Sequence, residues 1–232
     1  MQVTTHVHQF GGLLGKGFLG ANVFLLTGND LTLVDTGFWG RSRAILRGIR
    51  RLGYSPSDVA RIIITHHHAD HAGSLATLKR ITGAEVIAHS ADAPYLDGSL
   101  PQPGPSRPQW LSKALAPAHR LWATAPAEVD TLVNDGDELP ILGGVKILHM
   151  PGHTPGSICL LLEQEGMIIV GDVIVHRFGL RLPVRLFTVD VAQAIRSVKR
   201  VAGTDFDVIC FGHGSPIPHK ARSRITRFAE SL

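Results

Sequence analysis

The sequence lacks any apolar run of about 18 residues, the length that a helix needs to cross a bilayer, so we expect no membrane-spanning segment. Its first ten residues also lack a basic stretch followed by an apolar one, and no signal peptide is expected. Cysteine is scarce: Cys159 and Cys210 both fall inside apolar, strand-like runs. They indicate small buried side chains rather than a disulfide framework. Together these absences predict a cytoplasmic protein with no membrane partner.

Acidic residues are slightly outnumbered, with 19 Asp and Glu against 23 Lys and Arg and a net charge of +4. Much of the excess lies at residues 41–51, where five arginines surround Ile45, Leu46 and Ile49. This pattern is typical of an amphipathic helix with a solvated face. The sequence shows neither aromatic residues interleaved with these charges nor a nucleic-acid-binding motif. It therefore argues against nucleic acid as a partner and favours a small-molecule substrate.

The composition, 44% hydrophobic and 18% charged over 232 residues, predicts one globular domain spanning residues 1–232. Strand-like and helix-like runs alternate in two halves, which indicates an α/β layered fold. The predicted strands lie near residues 3–9, 22–27, 31–35, 85–88, 145–149, 157–163, 166–171 and 207–211. The predicted helices cover residues 41–52, 71–82, 191–202 and 220–230, with Asp190 as a plausible N-cap.

The most informative segment, residues 65–71, reads Thr-His-His-His-Ala-Asp-His and follows an apolar, strand-like run. Its candidate ligands are His66, His68, Asp70 and His71, whose side-chain types suit zinc and related divalent ions. A loop at a strand end can bend several side chains toward one point. Taken alone, the segment leaves a less favoured alternative open, a histidine-rich surface turn or a single histidine that is hydrogen-bonded in the core.

Three further candidate ligands lie downstream, each at the end of an apolar, strand-like run: His153, Asp172 and His213. Glycine flanks each of them, which allows close backbone approach or a sharp turn. With the first segment they make five histidines and two aspartates. This set is too large for one tetrahedral ion and fits two divalent metal ions that share a carboxylate.

Taken in order, these motifs resemble the metallo-β-lactamase-fold superfamily. The resemblance includes Asp35-Thr36-Gly37 and the H-x-H-x-D-H pattern of residues 66–71, and it continues through the three downstream ligands to about residue 215. It implies a four-layer αβ/βα sandwich, in which two mixed β-sheets are flanked by helices. The metals would lie in a cleft along one edge of the packed sheets.

The resemblance also implies how the seven candidate ligands divide. One ion would be held by His66, His68 and His153, the other by Asp70, His71 and His213, and Asp172 would bridge them. Zinc is the expected metal, with iron and manganese as alternatives. The resemblance further implies that Asp70 passes a proton to the leaving group and that Asp35 hydrogen-bonds a ligand histidine.

Two threonines of these motifs, Thr65 and Thr154, are either similar supports or turn residues. His67 falls between ligands, and we expect its side chain to point away from the metals. His176, four residues past Asp172, is the one other histidine for which a role at the site is considered.

The implied activity is hydrolysis of an ester, thioester or lactone carbonyl by a metal-bridging hydroxide. The motifs resemble the glyoxalase-II-like and lactonase-like group but lack both groups' specificity features. No tyrosine follows Asp172 closely, and no glutathione-binding helical domain is expected before the chain ends at Leu232. Zinc β-lactamases lack an aspartate at the Asp172 position, which argues against antibiotic hydrolysis. A phosphodiesterase or nuclease of the same fold, and a mononuclear-iron persulfide dioxygenase, stay open as alternatives.

A proline-dense segment at about residues 94–128 interrupts the pattern. Proline excludes a regular helix or central strand from its first part, whereas residues 109–124 have a helical pattern that Pro117 should end or kink. Insertions of this kind often cover the active site in the superfamily, so we predict a lid or substrate wall. The alternative is a homodimer contact that buries Trp110 and Trp122. The basic stretch of residues 176–185, with Arg177, Arg181 and Arg185, would lie near the cleft mouth and is either a simple basic loop or a site for an anionic substrate.

Overall fold

The computed structural model describes residues 1–11, 20–104 and 123–232 of the chain. In this part of the protein, six strands form a first mixed sheet in the spatial order β1–β2–β3–β4–β5–β6. The β1–β2 and β2–β3 pairs are antiparallel, and the strands from β3 to β6 run parallel to one another. The strands are β1 (Val7–Phe10), β2 (Val23–Thr27), β3 (Leu31–Val34), β4 (Val59–Ile64), β5 (Glu85–His89) and β6 (Thr131–Val133).

A second mixed sheet has five strands, which are β7 (Glu138–Leu139), β8 (Val145–His149), β9 (Ile158–Leu162), β10 (Met167–Ile169) and β13 (Val208–Cys210). Their spatial order is β13–β10–β9–β8–β7, and only the β10–β13 pair is parallel. Between β10 and β13 the chain forms a separate antiparallel hairpin of β11 (Val175–His176) and β12 (Leu180–Arg181).

The helices of the described residues are α1 (Ser42–Arg51), α2 (Ala69–Ala72), α3 (Leu75–Thr82), α4 (Ala93–Leu96), α5 (Val191–Ala202) and α6 (Ala221–Glu230). Short 3-10 turns occur at Pro56–Asp58, Glu163–Glu165 and Arg185–Phe187. In α1 the buried face carries Ile45, Leu46 and Ile49, and the arginines lie outside it, as the sequence predicts. None of these helices is both long and apolar enough to cross a bilayer.

Both sheets are buried on both faces, which produces four layers. In β4, Ile62 packs into the cluster formed with α1 and α3, while its neighbour Ile63 packs into the cluster between the two sheets. In β13, Ile209 packs with α5 and α6, and Cys210 faces the other sheet. Successive side chains of a strand point to opposite faces, so a strand covered on both sides has a continuous apolar sequence. The predicted four-layer sandwich of two mixed sheets flanked by helices is confirmed.

The two cysteines occupy opposite faces of the second sheet. Cys159 lies in the cluster formed with the outer helices and Cys210 in the cluster between the sheets, and both are free and fully buried. Burial raises the pKa of both thiols, because a thiolate would be poorly solvated there. The prediction of small, buried, unpaired side chains is therefore confirmed.

The predicted helix of residues 71–82 is interrupted. It is divided at Gly73 and Ser74 into α2 and α3. The hydroxyl of Ser74 donates to the carbonyl oxygen of Phe38 at 2.6 Å and accepts from the amide of Arg41 at 3.1 Å. A Cβ at position 73 would lie 2.5 Å from the backbone nitrogen of Trp39. The turn of residues 38–41 therefore packs directly against the break between α2 and α3, and its contacts with Gly73 and Ser74 interrupt the helix there.

Other element predictions differ mainly at their ends. Helix α5 has the predicted bounds, and the carboxylate of Asp190 accepts from the amide of Gln193 at 2.9 Å as an N-cap. The first strand begins at Val7 rather than at residue 3, and β6, β7 and the β11–β12 hairpin, each two or three residues long, were not predicted. The expectation that proline excludes a helix from the first part of the segment at residues 94–128 is wrong for residues 94–96, because Pro94 lies in the first turn of the short helix α4, where the missing N–H costs no helical hydrogen bond. The helix predicted over residues 109–124 lies almost wholly outside the described residues, and the single-domain organisation stays a prediction.

The carboxyl ends of several strands from both sheets meet at one edge of the sandwich. In the first sheet, parallel β3, β4 and β5 end there, and in the second sheet β8, β10 and β13 end at the same edge. Two backbone hydrogen bonds join the halves at this edge: the amide of Ile158 donates to Thr65 at 3.0 Å, and that of Asn22 donates to Gly212 at 2.7 Å.

Candidate metal centre

All seven candidate ligands lie in loops or helix starts at this edge. His66 and His68 directly follow β4, and Asp70 and His71 belong to α2. The other three come from the second half of the chain: His153 lies between β8 and β9, Asp172 follows β10, and His213 follows β13. The structure thus brings all seven candidate ligands together at one edge of the sandwich.

One group of three consists of His66, His68 and His153. Their ring centroids are 4.6 to 4.8 Å apart, and Nδ1 of His68 lies 3.0 Å from Nε2 of His153. Each residue offers a nitrogen within 4.8 Å of the other two. Three neutral imidazoles that converge in this way form a common ligand set for a divalent ion.

A second group of three consists of Asp70, His71 and His213. Nε2 of His213 lies 2.9 Å from the carboxylate of Asp70, and Nε2 of His71 lies 3.9 Å from the same carboxylate. Asp172 lies between the two groups, at 3.3 Å from Nε2 of His71, 3.3 Å from Nε2 of His213 and 3.7 Å from Nε2 of His153. A carboxylate in this position has oxygens available to both groups.

Three of the donor atoms that a metal would need have no hydrogen-bond partner. Among the described residues, Nε2 of His66, Nε2 of His71 and Oδ1 of Asp172 are buried and make no hydrogen bond. Buried polar atoms are nearly always satisfied, because leaving one without a partner costs about 1–3 kcal/mol. Three such atoms that converge in one place fit a site for divalent metal ions.

Glycine is required at position 212 by close packing around the site. A Cβ there would lie 2.3 Å from Oδ1 of Asp172 and 2.7 Å from Cε1 of His71. The amide of Gly212 also donates to the carbonyl oxygen of Gly171 at 2.7 Å, which joins the loops that carry Asp172 and His213. The expectation that glycine allows the backbone to approach closely is confirmed here.

The two groups of histidines differ in charge in the metal-free protein. Burial holds the pKa of His66 and of His68 well below the usual value and lowers the pKa of His153 to about 4, so the first group is neutral at neutral pH. Burial acts in the same direction on His71, but the carboxylates of Asp35, Asp172 and Asp70 outweigh it and raise the pKa of His71 well above 6.5. His71 therefore carries a proton that a metal ion must displace.

The surroundings of His213 act on its pKa in opposite directions. Burial lowers its pKa, and Asp172 and Asp70 outweigh the burial and raise the pKa to about 9. However, Nη2 of Arg177 donates to Nδ1 of His213 at 2.7 Å, so this nitrogen acts as an acceptor. We therefore place the ring proton of His213 on Nε2, where it faces the carboxylate of Asp70.

We expect metal binding to the second group to release at least about one proton per chain, that of His71, whereas the first group should bind without release. Below the raised pKa of His71, affinity at the second group should fall about tenfold per unit drop in pH, with much less change at the first group. Zinc titrations followed by calorimetry in two buffers of different ionisation enthalpy measure the release. Equal pH dependence of the two binding steps would contradict the assignment of the proton to His71.

In the metal-free protein, the raised pKa of His71 contributes stability that is complete below pH 6.5 and is lost as the pH rises through that raised pKa.

Asp35 supports the second group from behind. Its carboxylate lies 2.7 Å from Nδ1 of His71 and accepts from the amide of Thr65 at 2.8 Å and from its hydroxyl at 2.8 Å. Hydrogen bonding of Nδ1 leaves Nε2 of His71 directed at the site. The hydroxyl of Thr65 also lies 3.2 Å from Nδ1 of His66. The expected roles of Asp35 and Thr65 agree with these contacts.

Two buried residues of the site were not singled out from the sequence. Asn22 donates through Nδ2 to the carbonyl oxygens of Phe211 and Gly214, at 2.9 and 2.8 Å, and so holds the loop of His213. Asp92 accepts from three donors near His67 and His153 and is 1% exposed. Each is a single polar residue in its sequence context, so no local pattern identified it.

The remaining predicted positions have structural contacts. The hydroxyl of Thr154 donates to Asp92 rather than to a ligand histidine. His67 is buried, with Nδ1 3.0 Å from Asp92 and its ring 4.5 Å from that of Tyr95, so its nitrogens are not part of the ligand groups. Nδ1 of His176 donates to the carbonyl oxygen of Ser215 at 2.7 Å, outside the ligand groups.

A cavity of about 390 Å³ opens onto the site. Five candidate ligands contribute to its lining, namely His68, Asp70, His153, Asp172 and His213. The rest of the wall is mainly apolar and is formed by Phe38, Pro103, Val175, Leu182, Val184 and Phe187. Its size and lining suit a small organic molecule. A larger groove, of about 1350 Å³, lies beside α6 on the outer face of the second sheet and contains none of the seven ligands.

Two arginines and the start of the proline-dense segment also line the cavity. Arg177 and Arg181 belong to the β11–β12 hairpin, and neither forms an ion pair with a carboxylate in the described part of the chain. The predicted position of this basic stretch near the cleft mouth agrees with the lining for these two arginines, whereas Arg185 does not line the cavity. Gln102, Pro103 and Gly104 form part of the wall, but residues 105–122 lie outside the described residues. The choice between a lid and a dimer contact therefore stays a prediction.

The sequence model of the metallo-beta-lactamase superfamily matches residues 17–213, which is most of the chain. The chain belongs to the metallo-beta-lactamase superfamily. Among its relatives, a probable metallo-hydrolase of Bacillus subtilis (strain 168), YflN, is 28% identical over 223 residues, covering 88% of this chain and 83% of that protein. This superfamily protein is therefore a metal-dependent hydrolase with candidate sites for divalent metal ions.

Solved structures agree with the superfamily fold. The metallo-beta-lactamase family protein TTHA1429 of Thermus thermophilus has a TM-score of 0.72 at 23% identity, covering 99% of this chain and 80% of that one. BJP-1, a subclass B3 metallo-beta-lactamase of Bradyrhizobium japonicum, has a TM-score of 0.73 at 23% identity, covering 100% and 89%. At these identities the likeness shows the metallo-beta-lactamase fold alone.

Proposed function

We propose that this protein uses two zinc ions to hydrolyse the ester, thioester or lactone bond of a small molecule. The observation that carries the proposal is the pair of three-residue ligand groups on either side of Asp172, at the base of an apolar cavity of about 390 Å³. Two metal ions held in this way would supply a water of lowered pKa as nucleophile and would polarise the carbonyl group under attack. The cavity volume supports a small-molecule substrate.

The residues of the site have two roles: they hold the metal ions, and one of them also transfers a proton. His66, His68 and His153 would hold one ion, Asp70, His71 and His213 the other, and Asp172 would contact both. Burial alone would raise the pKa of Asp70, but His71 and His213 outweigh it and lower the pKa to about 2. Asp70 is thus a carboxylate at neutral pH, as a metal ligand must be, and it is partly exposed, at 24%, in the lining of the cavity. In this position, with the metal ions bound, it would lie where a proton from the nucleophile could be relayed to the leaving group.

The apolar wall has a role of its own. Phe38, Leu182 and Phe187 line the cavity and would exclude bulk water from a bound substrate. Lower local polarity strengthens the electrostatic interactions that stabilise an oxyanion formed during attack. The wall would also bind the apolar part of an ester or acyl group.

Phosphodiester hydrolysis is the second candidate, because Arg177 and Arg181 line the cavity without an acidic partner in the described residues. Guanidinium groups bind phosphate oxygens well. The same arginines could instead bind a carboxylate at the far end of an ester substrate. The two readings differ in the bond that is hydrolysed, so a substrate panel separates them.

We expect metal analysis of the purified protein to find about two zinc ions per chain and turnover of carbonyl esters, thioesters or lactones. The measurement is elemental analysis, followed by a panel of these substrates and bis(p-nitrophenyl) phosphate. Turnover of the phosphodiester alone would favour the second candidate. One iron per chain without ester hydrolysis would reject the proposal and favour oxidation of a persulfide.

A further inference from the structure

Asp92 is a buried carboxylate that follows β5 and contacts both loops of the first ligand group. Its Oδ2 accepts from the amide of His67 at 2.9 Å and from the hydroxyl of Thr154 at 2.8 Å, and its Oδ1 accepts from the amide of Gly156 at 2.6 Å. Nδ1 of His67 lies 3.0 Å from Oδ2 as well. Asp92 is therefore bonded to two segments that are almost ninety residues apart in sequence.

These segments belong to different sheets. The amide of His67 lies between the candidate ligands His66 and His68 after β4, and Thr154 directly follows the candidate ligand His153 after β8. The carboxylate of Asp92 thus lies behind the first ligand group and joins its two parts. It is not a member of any group of converging metal-binding atoms among the described residues.

We propose that Asp92 is a positioning residue that fixes the loop of His66 and His68 relative to the loop of His153 and so sets the affinity of this group for its metal ion. The proposal rests on the two-metal site of the proposed function and adds a support that acts on one ion only. The second group has a different support, because Asp35 contacts His71 at 2.7 Å. Asp35 reaches the first group only through Thr65, whose hydroxyl lies 3.2 Å from Nδ1 of His66, so its direct contact is with the second group.

The contacts of Asp92 explain why their loss should weaken metal binding at the first ligand group and not at the second. Backbone amides and a threonine hydroxyl are donors in fixed positions, so a buried carboxylate that satisfies them tolerates little displacement of either loop. If the loops separate, the nitrogens of His68 and His153 no longer converge. Loss of supports of this kind typically lowers metal affinity by about 10–100-fold.

The test uses a matched pair at Thr154, in which Thr154→Val removes the hydroxyl donor at nearly constant shape and Thr154→Ser keeps it. The two stepwise zinc affinities are measured by competition with a chromophoric chelator. We expect Thr154→Val to weaken one step by about tenfold and to leave the other within about twofold, and Thr154→Ser to keep both near their original values.

Gly156→Ala provides a second variant that removes no polar group. Its Cβ would lie 2.6 to 2.7 Å from the backbone nitrogen, Cβ and Cγ of Asp92, so the carboxylate must shift. We expect the same step to weaken as in Thr154→Val. Asp130→Asn is the control, because Asp130 accepts from the amide of Val86 and from Lys79 at the opposite end of β5. It should leave both zinc affinities unchanged.

Comparison with Asp35→Asn assigns the affected step. If the inference is correct, Asp35→Asn and Thr154→Val weaken different steps, and the double variant weakens both. Equal weakening of both steps by Thr154→Val, or no change in either with Thr154→Val and Gly156→Ala, would overturn the role of Asp92. The measurement needs no substrate, so a failure of ester hydrolysis would reject the proposed function without affecting this test. If the chain bound a single ion and Asp35→Asn left its affinity unchanged, the ion would be in the first group, and an unchanged affinity in Thr154→Val would then still overturn the inference.

Discussion

Replacement of Asp172 by alanine is expected to reduce the metal content from two ions to one per chain and to lower kcat/KM by about a thousandfold, or about 4 kcal/mol. Asp172 lies 3.3 Å from Nε2 of both His71 and His213 and 3.7 Å from Nε2 of His153, so its oxygens contact both ligand groups. Among the described residues, Asp70 is the one other carboxylate in these groups, and it contacts only the second. No neighbouring side chain can therefore replace Asp172.

A second effect of Asp172→Ala acts on the metal-free protein. Burial raises the pKa of Asp172, but His213 and His71 outweigh it and hold the pKa well below its usual value. The carboxylate thus compensates the positive charge on the buried imidazole of His71, and its removal leaves that charge with one carboxylate partner fewer. Breaking a buried ion pair typically costs about 3–5 kcal/mol. The variant should consequently also unfold at lower urea concentration when the metal is removed.

Metal content by elemental analysis and kcat/KM for the best substrate of the panel measure the first effect. Asp172→Asn keeps the shape and removes only the charge, and it should behave similarly. Asp58→Ala is the control, because Asp58 caps a 3-10 turn at the opposite end of β4 and should keep both ions. Full turnover by Asp172→Ala with two bound ions would show that the bridging assignment is wrong.

Replacement of Asp35 by asparagine is expected to weaken metal binding at the second ligand group by about 10–100-fold. The carboxylate accepts from Nδ1 of His71 and from the amide and hydroxyl of Thr65 and is 1% exposed. An asparagine has one acceptor oxygen and an NH₂ group that cannot accept. One of these donors would lose its partner, and Nδ1 of His71 would no longer be fixed.

Asparagine is the most informative replacement at position 35 because the backbone there has a positive φ. Asp35 has a φ of 62°, in the left-handed region that asparagine tolerates better than most other residues. Asp35→Asn therefore changes the hydrogen bonding with little added backbone strain, whereas Asp35→Ala would change both. Stepwise zinc affinities and urea unfolding of the metal-free protein measure the effect. If both zinc affinities stay within about twofold of the original, Asp35 does not position His71.

The sequence predicted most of the strands, and the candidate ligands, by local patterns. Ile62, Ile63 and Ile64 form an apolar run that is typical of a strand buried on both faces, and the histidines directly follow it. The four-layer fold followed from the resemblance that these motifs carry. The ligand set itself is brought together in the structure, but its binding of metal stays a prediction.

Residues whose role depends on distant contacts could not be predicted. Asp92 and Asn22 are single polar residues, and what makes them important is the loop that each meets across the fold, from 62 to 192 positions away. The contact of Arg177 with His213 depends on the path of a short hairpin. The break at Gly73 depends on the turn of residues 38–41, which is remote from the helical pattern. In each case the deciding contact joins segments that no local pattern links.

The two ligand groups have one property in common: each draws on both sheets. His66 and His68 extend from the first sheet and meet His153 of the second, and His71 meets His213 in the same way. A metal ion in either group would thus act as a cross-link between the halves of the sandwich. Opening the interface between the sheets would then require release of the ions, so chelation should loosen the attachment of the two halves as well as stop the chemistry. In a cell that is short of metal, this protein would lose part of its resistance to unfolding together with its activity.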